Sequence, residues 1–183
     1  MIPTSPDCHV EARSVRGIGE LANVKLILKN LFFTLAVPGT VAVYVPLLLT
    51  RGLPPTTGWT RLLALPFFAV ALTVYLWSVW NFAFRGKGTP LPIDAPTRLV
   101  VQGPYLYTRN PMYLAVMSAL LGWLLAYQSL GLLLYTVGVG SAFATFVIGY
   151  EEPHLRRQFG EQYDDYMGRV PRWLPRRSRP PDA

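Results

Sequence analysis

Four runs without a single charged residue constrain this chain most: residues 31–50, 62–84, 111–127 and 130–150. A helix needs roughly 20 apolar residues to cross the hydrocarbon core of a bilayer, with a lower limit near 17. All four runs meet that requirement. Only 15% of residues are charged, where a soluble domain has about 25%. The pattern predicts an all-α, polytopic membrane protein with four transmembrane helices. Only Gln128 and Ser129 separate the third run from the fourth, so these two form a tight helical hairpin.

The basic residues set the orientation. Four precede the first span (Arg13, Arg16, Lys25, Lys29) and four lie between the second and third (Arg85, Lys87, Arg98, Arg109). Seven more follow the fourth span, and the other side carries only Arg51 and Arg61. Fifteen against two places both termini and the second loop in the cytoplasm by the positive-inside rule. The net charge of +7 is therefore a topology and lipid-headgroup signal. No nucleic-acid-binding motif accompanies it. Cys8 is the sole cysteine, which excludes an internal disulfide. His9 and His154 lack metal-ligand spacing, so no metal is expected. The first 24 residues read as a mixed-charge leader rather than a signal peptide, because the apolar run behind them is long enough to remain as a span.

Pro38 and Pro46 in the first span and Pro66 in the second read as packing kinks, with neighbouring helices satisfying the freed carbonyls. Trp59, Trp77 and Trp80 suit the aromatic belt at the membrane boundary. The loop over 85–110 carries two glycines between Arg85 and Thr89 and four prolines before Asn110, which exclude a long helix. Its stretch 98–102 (RLVVQ) is apolar enough to pack against the membrane face. In the hairpin, small residues recur on one face of each span. Ala115, Ala119, Gly122 and Ala126 form the first set; Gly138, Ala142, Thr145 and Gly149 form the second. Small faces let membrane helices approach closely, so the two sets are expected to pair. Beyond Tyr150, Pro153 suits a new helix start. Leu155, Phe159, Tyr163, Tyr166 and Val170 follow at helical spacing, predicting one C-terminal amphipathic helix on the cytoplasmic surface.

Chemistry-bearing residues cluster at both ends of the hairpin. Glu151 and Glu152 are the first acids after Asp94, and a carboxylate at a membrane boundary suits a cationic ligand. Ahead of the third span, Arg109 suits a ligand carboxylate, and Pro111 fixes a helix start whose free amides receive polar groups. Tyr105, Tyr107 and Tyr113 are aromatic surfaces for a ring or for the interface. The hairpin returns both clusters to the same side of the bilayer.

The order GPY (Gly103–Tyr105), RNPMY (Arg109–Tyr113), a hairpin, Glu151-Glu152, FG-x-x-Y-x-x-Y (Phe159–Tyr166) and RVP (Arg169–Pro171) resembles a known family. It is similar to the integral-membrane methyltransferases of the isoprenylcysteine carboxyl methyltransferase and phospholipid methyltransferase superfamily. The resemblance spans residues 89–171. It implies an S-adenosylmethionine pocket at the cytoplasmic face, formed by Gly103, Tyr105, Arg109, Asn110, Pro111, Tyr113, Glu151 and Glu152. Tyr163 and Arg169 are implied on the substrate side. The isoprenylcysteine enzymes carry histidine where this chain has Asn110, and asparagine cannot titrate near neutral pH.

The implied function is methyl transfer to a lipid-like or small hydrophobic acceptor, through oxygen, nitrogen or sulfur. No dedicated general base is evident. A membrane reductase of the sterol-reductase type, using NADPH, and a non-catalytic scaffold are the competing readings. The chain divides into a leader (1–24), a first pair of spans (25–84), a methyltransferase core (85–171) and a basic tail (172–183). Removing the Glu152 charge is expected to abolish cofactor binding and leave the fold intact.

Overall fold

The computed structural model describes residues 36–81 and 99–176, which are helical with no strand among them. The leader, Cys8, most of the second loop and the end of the tail lie outside the described residues. A π-helical turn, Thr40–Tyr44, runs into α1 (Val45–Leu49). Helix α2 spans Trp59–Asn81, α3 spans Pro111–Tyr127 and α4 spans Leu130–Phe146. A second π turn, Val147–Glu151, joins α4 to α5 (Glu152–Phe159), and α6 is Glu161–Arg169.

Two of these helices are long and apolar enough to cross a bilayer: Trp59–Asn81 and the continuous run Leu130–Phe159. Thr40–Leu49 and Pro111–Tyr127 are shorter apolar helices. Only 17% of the most apolar stretch of each long helix is buried inside the protein. The core helix of a soluble protein would be mostly buried, so these surfaces suit lipid. Trp59 and Trp80 are among the most exposed large side chains.

Close packing concentrates between α2 and α3. Ala64, Ala71 and Ser78 are buried on α2 at intervals of seven. Facing them, Ala115, Ala119, Gly122 and Ala126 are buried on α3. A Cβ on Gly122 would stand 3.1 Å from the Phe68 ring, and Ser118 Oγ donates to the Phe67 carbonyl at 2.9 Å. The α3 small face thus seats α2, not the other arm of its hairpin. Gly138, Ala142 and Thr145 on α4, and Gly149 in the π turn after it, are exposed. This corrects the expected pairing of the two sets. The α4 residues buried instead are Leu132 and Thr136, which lie on a different side of that helix. The hairpin turn is as tight as expected: Gln128 takes a left-handed conformation (φ 46°) and its amide caps Leu124 O at 2.8 Å.

Pro46 shows how the fold meets an obligation the sequence creates. Its missing N–H leaves Ala42 O without its α-helical donor and Val41 O without its π-helical one. Trp123 Nε1 donates to Ala42 O at 2.9 Å, and Tyr135 Oη donates to Val41 O at 3.0 Å. The hairpin thereby holds the first helix through carbonyls freed by a proline. Trp123→Phe removes one donor from a partly buried contact. We expect a stability loss of about 1–2 kcal/mol, read as a lower melting temperature with ligand affinity retained.

The C-terminal region differs from the expected single amphipathic helix. Rather than starting a new helix, Pro153 continues α4 through the π turn into α5. Glu151 and Glu152 therefore lie within a helix, and not at its C-terminus. The break comes later, at Gly160 (φ 52°, ψ −129°), a conformation essentially restricted to glycine. Across it, Tyr163, Tyr166 and Val170 form a buried cluster with Leu99, Val101, Leu155 and Phe159 against it. Leu99 and Val101 of the RLVVQ stretch thus pack against the C-terminal helices.

Candidate functional site

A cavity of about 570 Å³ opens where the two polar clusters meet, well inside the usual range for small-molecule sites. Val37, Pro38 and Val41 form one apolar wall, and Phe143 and Phe146 of α4 with Val147 of the π turn form another. The polar end is built by Arg109, Asn110 and Tyr113 on one side and by Glu151, Glu152 and Tyr163 on the other. The π turn widens the helix over Val147–Glu151, so Glu151 is its last residue and Glu152 follows it directly. Such bulges recur at functional sites.

The two carboxylates are held differently. Glu151 accepts one hydrogen bond, from Tyr113 Oη to its Oε2 at 2.8 Å. Its other oxygen receives none from the described residues. Glu152 is enclosed by two guanidinium groups. Arg172 forks it, Nε to Oε1 and Nη2 to Oε2, both at 2.8 Å. Arg109 Nη1 lies 3.0 Å from the same Oε1, and both side chains are only 11% exposed. That contact pairs the charges, but no N–H lies along it. Nε and Nη1 of Arg109 are buried without a hydrogen-bond partner among the described residues. The Glu152 bond in turn pushes the Arg172 guanidinium further towards its charged form.

Around this ion cluster stand three tyrosines outside the spans. Burial pushes the Tyr163 phenol up to about 12, with the Glu152 carboxylate adding to it and the neighbouring Arg109 opposing it. Burial also raises Tyr166 and Tyr105. All three keep their protons at neutral pH and act as donors or aromatic walls, not as bases. Tyr166 Oη donates to Tyr105 O at 2.8 Å, tying α6 to the 3-10 turn Gly103–Leu106.

The phospholipid methyltransferase family matches residues 59–162. The chain belongs to this family. No curated protein and no solved structure matches it. The match runs from the start of α2 into the start of α6, and so takes in most of the cavity's polar end. Membership in the phospholipid methyltransferase family implies a methyltransferase of the membrane, within the superfamily that the motifs resemble.

Seven of the expected cofactor residues line the cavity: Tyr105, Arg109, Asn110, Pro111, Tyr113, Glu151 and Glu152. Tyr163 joins them. Gly103 does not. It has φ +62°, and a Cβ there would meet Asn81 Nδ2 at 2.5 Å. Glycine at this position lets the GPY turn pack against the end of α2. Arg169 also stands apart: it is exposed, and its Nε donates to Asp165 O on its own helix at 3.3 Å. The Asn110 side chain is already engaged, donating through Nδ2 to Arg172 O at 3.1 Å.

Arg172 is the site residue that sequence reasoning missed. It stands at the head of the basic tail, yet residues 171–176 run back along the RNP loop. Arg109 N donates to Pro171 O at 2.9 Å, and Arg176 N to Tyr107 O at 3.0 Å. Thr108 Oγ1 donates to Arg172 O at 2.9 Å. The one local signal is an arginine immediately after the RVP motif, which charge counting hides among six other basic residues beyond the fourth span.

Proposed function

We propose that this protein is an S-adenosylmethionine-dependent methyltransferase acting on a lipid-like or small hydrophobic acceptor. The observation that carries this reading is the juxtaposition in one cavity of a carboxylate and a guanidinium that each keep hydrogen-bonding atoms unused among the described residues. Glu151 offers a carboxylate oxygen, and Arg109 offers two buried donors. A zwitterionic amino-acid head on a cationic ligand satisfies both: its ammonium suits Glu151 and its carboxylate suits Arg109. The tyrosines and Phe143 supply surfaces for an adenine ring.

The bound cofactor would supply a methyl group made electrophilic by a sulfonium. This chain's residues orient, neutralise and exclude water. Glu151 places negative charge beside a cationic ligand. Arg109 fixes the ligand's carboxylate end and so the reach of the rest of the molecule. Phe143, Phe146 and Val147 keep the opposite wall dry, which strengthens each of these interactions. Val37 and Phe146 line the cavity and are exposed on the apolar surface, so we read the acceptor's entry as lateral, from the bilayer. Tyr105, Tyr163 and Tyr166 hold their protons, so none of these three offers a phenolate to an acceptor that must shed a proton.

In this reading the four apolar runs are four spans, both termini are cytoplasmic, and α5 and α6 lie on the cytoplasmic face. The fifteen-to-two charge split supports that orientation. Membranes containing the protein, given S-adenosylmethionine labelled in the methyl group, are expected to transfer label to the solvent-extractable lipid fraction. Absence of transfer across thiol, amine and prenylcysteine acceptors would count against the activity. A C-terminal reporter active only on the far side of the membrane would overturn the topology.

A further inference from the structure

We propose that Arg172 is a specificity-determining positioning residue: by forking Glu152 it keeps Nε and Nη1 of Arg109 from closing hydrogen bonds within the protein, so that the cavity selects ligands bearing a carboxylate. This deepens the cofactor reading above and rests on it.

The argument starts from the geometry that arginine and carboxylate prefer. A buried pair normally closes as two parallel N–H···O bonds. Arg109 and Glu152 are both 11% exposed and 3.0 Å apart, yet no such fork forms between them. Arg172 occupies it instead, with both bonds at 2.8 Å. Nε and Nη1 of Arg109 are left buried and without a hydrogen-bond partner among the described residues. Unmet buried donors are costly, and a ligand anion at this end of the cavity removes that cost.

Arg172 is itself held at two ends. Its carbonyl receives Thr108 Oγ1 at 2.9 Å and Asn110 Nδ2 at 3.1 Å. Its side chain is bound by Glu152. The two residues that grip its backbone flank Arg109, so one loop sets both arginines relative to the same carboxylate. With Arg172 gone, Glu152 would regain two lone-pair directions, and Arg109 would turn to fill them. The donors meant for the ligand would then be spent within the protein. Glu151, hydrogen-bonded to Tyr113 and not to either arginine, is unaffected by that exchange.

The test compares two ligands on the full-length protein in detergent. S-adenosylhomocysteine carries the amino-acid carboxylate; 5′-methylthioadenosine shares the adenosine and thioether and lacks the amino-acid head. Calorimetric titration of the wild type is expected to show the tighter binding for S-adenosylhomocysteine. In Arg172→Met that affinity falls at least tenfold, while 5′-methylthioadenosine binds within twofold of wild type. Arg172→Lys keeps the charge but cannot fork, and should fall between the two; it also guards against loss of the fold in the methionine variant. Equal weakening of both ligands would make Arg172 a merely structural brace and overturn the inference. So would unchanged binding of both, or a wild type that binds the two ligands equally. A wild type that binds neither would overturn the cofactor reading itself, and this inference with it.

Discussion

Glu152→Gln will destabilise the protein and weaken ligand binding together. The carboxylate is 11% exposed and meets two guanidinium groups. Glutamine removes the negative charge and leaves both arginines facing each other across a neutral amide. Breaking one partner of a fully buried pair costs about 3–5 kcal/mol. Arg172 is 34% exposed and can turn to solvent, so we expect about 2–4 kcal/mol here. Thermal melting in detergent should show a clear drop, and proteolysis should cut sooner at the segment 171–176 that Arg172 anchors. This replaces the expectation from sequence, which treated Glu152 as a ligand partner whose loss would leave the fold intact. An unchanged melting temperature would mean that the cluster contributes nothing to holding that segment.

Glu151→Gln will do the reverse. Glutamine keeps an oxygen that can accept the Tyr113 hydroxyl, so the 2.8 Å contact and the melting temperature should both persist. What disappears is the open charge at the cavity. Hydrogen bonds to charged groups contribute about 1.5–3 kcal/mol, which corresponds to a roughly 10–150-fold weaker affinity for a ligand whose ammonium binds there. Titration with S-adenosylhomocysteine checks the affinity, and a melt of the same sample checks the fold. Wild-type affinity in this variant would remove Glu151 from the binding site. A parallel loss of stability would mean that the two glutamates share one structural role.

Helix positions and the existence of the site were legible because each rests on local signals. Charge-free length marked the apolar helices. Pro111 marked the start of α3 and the Gln128–Ser129 break marked its end. The RNP and EE clusters were brought together because a hairpin can return them nowhere else. What could not be read depended on which surfaces meet. The small faces of α3 and α4 have the same spacing, yet only the α3 set is buried, and it is buried against α2. Periodicity shows that a helix has a small face but does not name its partner. Pro153 looked like a helix start because proline favours the first turn; equally, a helix can loosen into a π turn and carry on. Gly160 alone marked the true break, and sequence offers no sign that its φ is positive.

The division of labour between the glutamates was hidden for a related reason. Adjacent carboxylates look equivalent in a sequence. Their difference arises from Tyr113, one turn into α3, and from Arg172, which returns from beyond α6 to take the second acid. Such contacts join residues about 20 and 38 positions apart, and no short-range pattern records them. Gly103 and Arg169 show the converse. Both belong to motifs on which the family resemblance was read, yet the first serves packing against Asn81 and the second faces solvent.

The central claim, that the cavity is a cofactor site for methyl transfer, is tested most directly by calorimetric titration of the purified full-length protein. S-adenosylhomocysteine is one ligand and NADPH the other. The account predicts saturable micromolar binding of S-adenosylhomocysteine and none of NADPH. Binding of NADPH alone, or of neither ligand to protein shown to be folded, would contradict it.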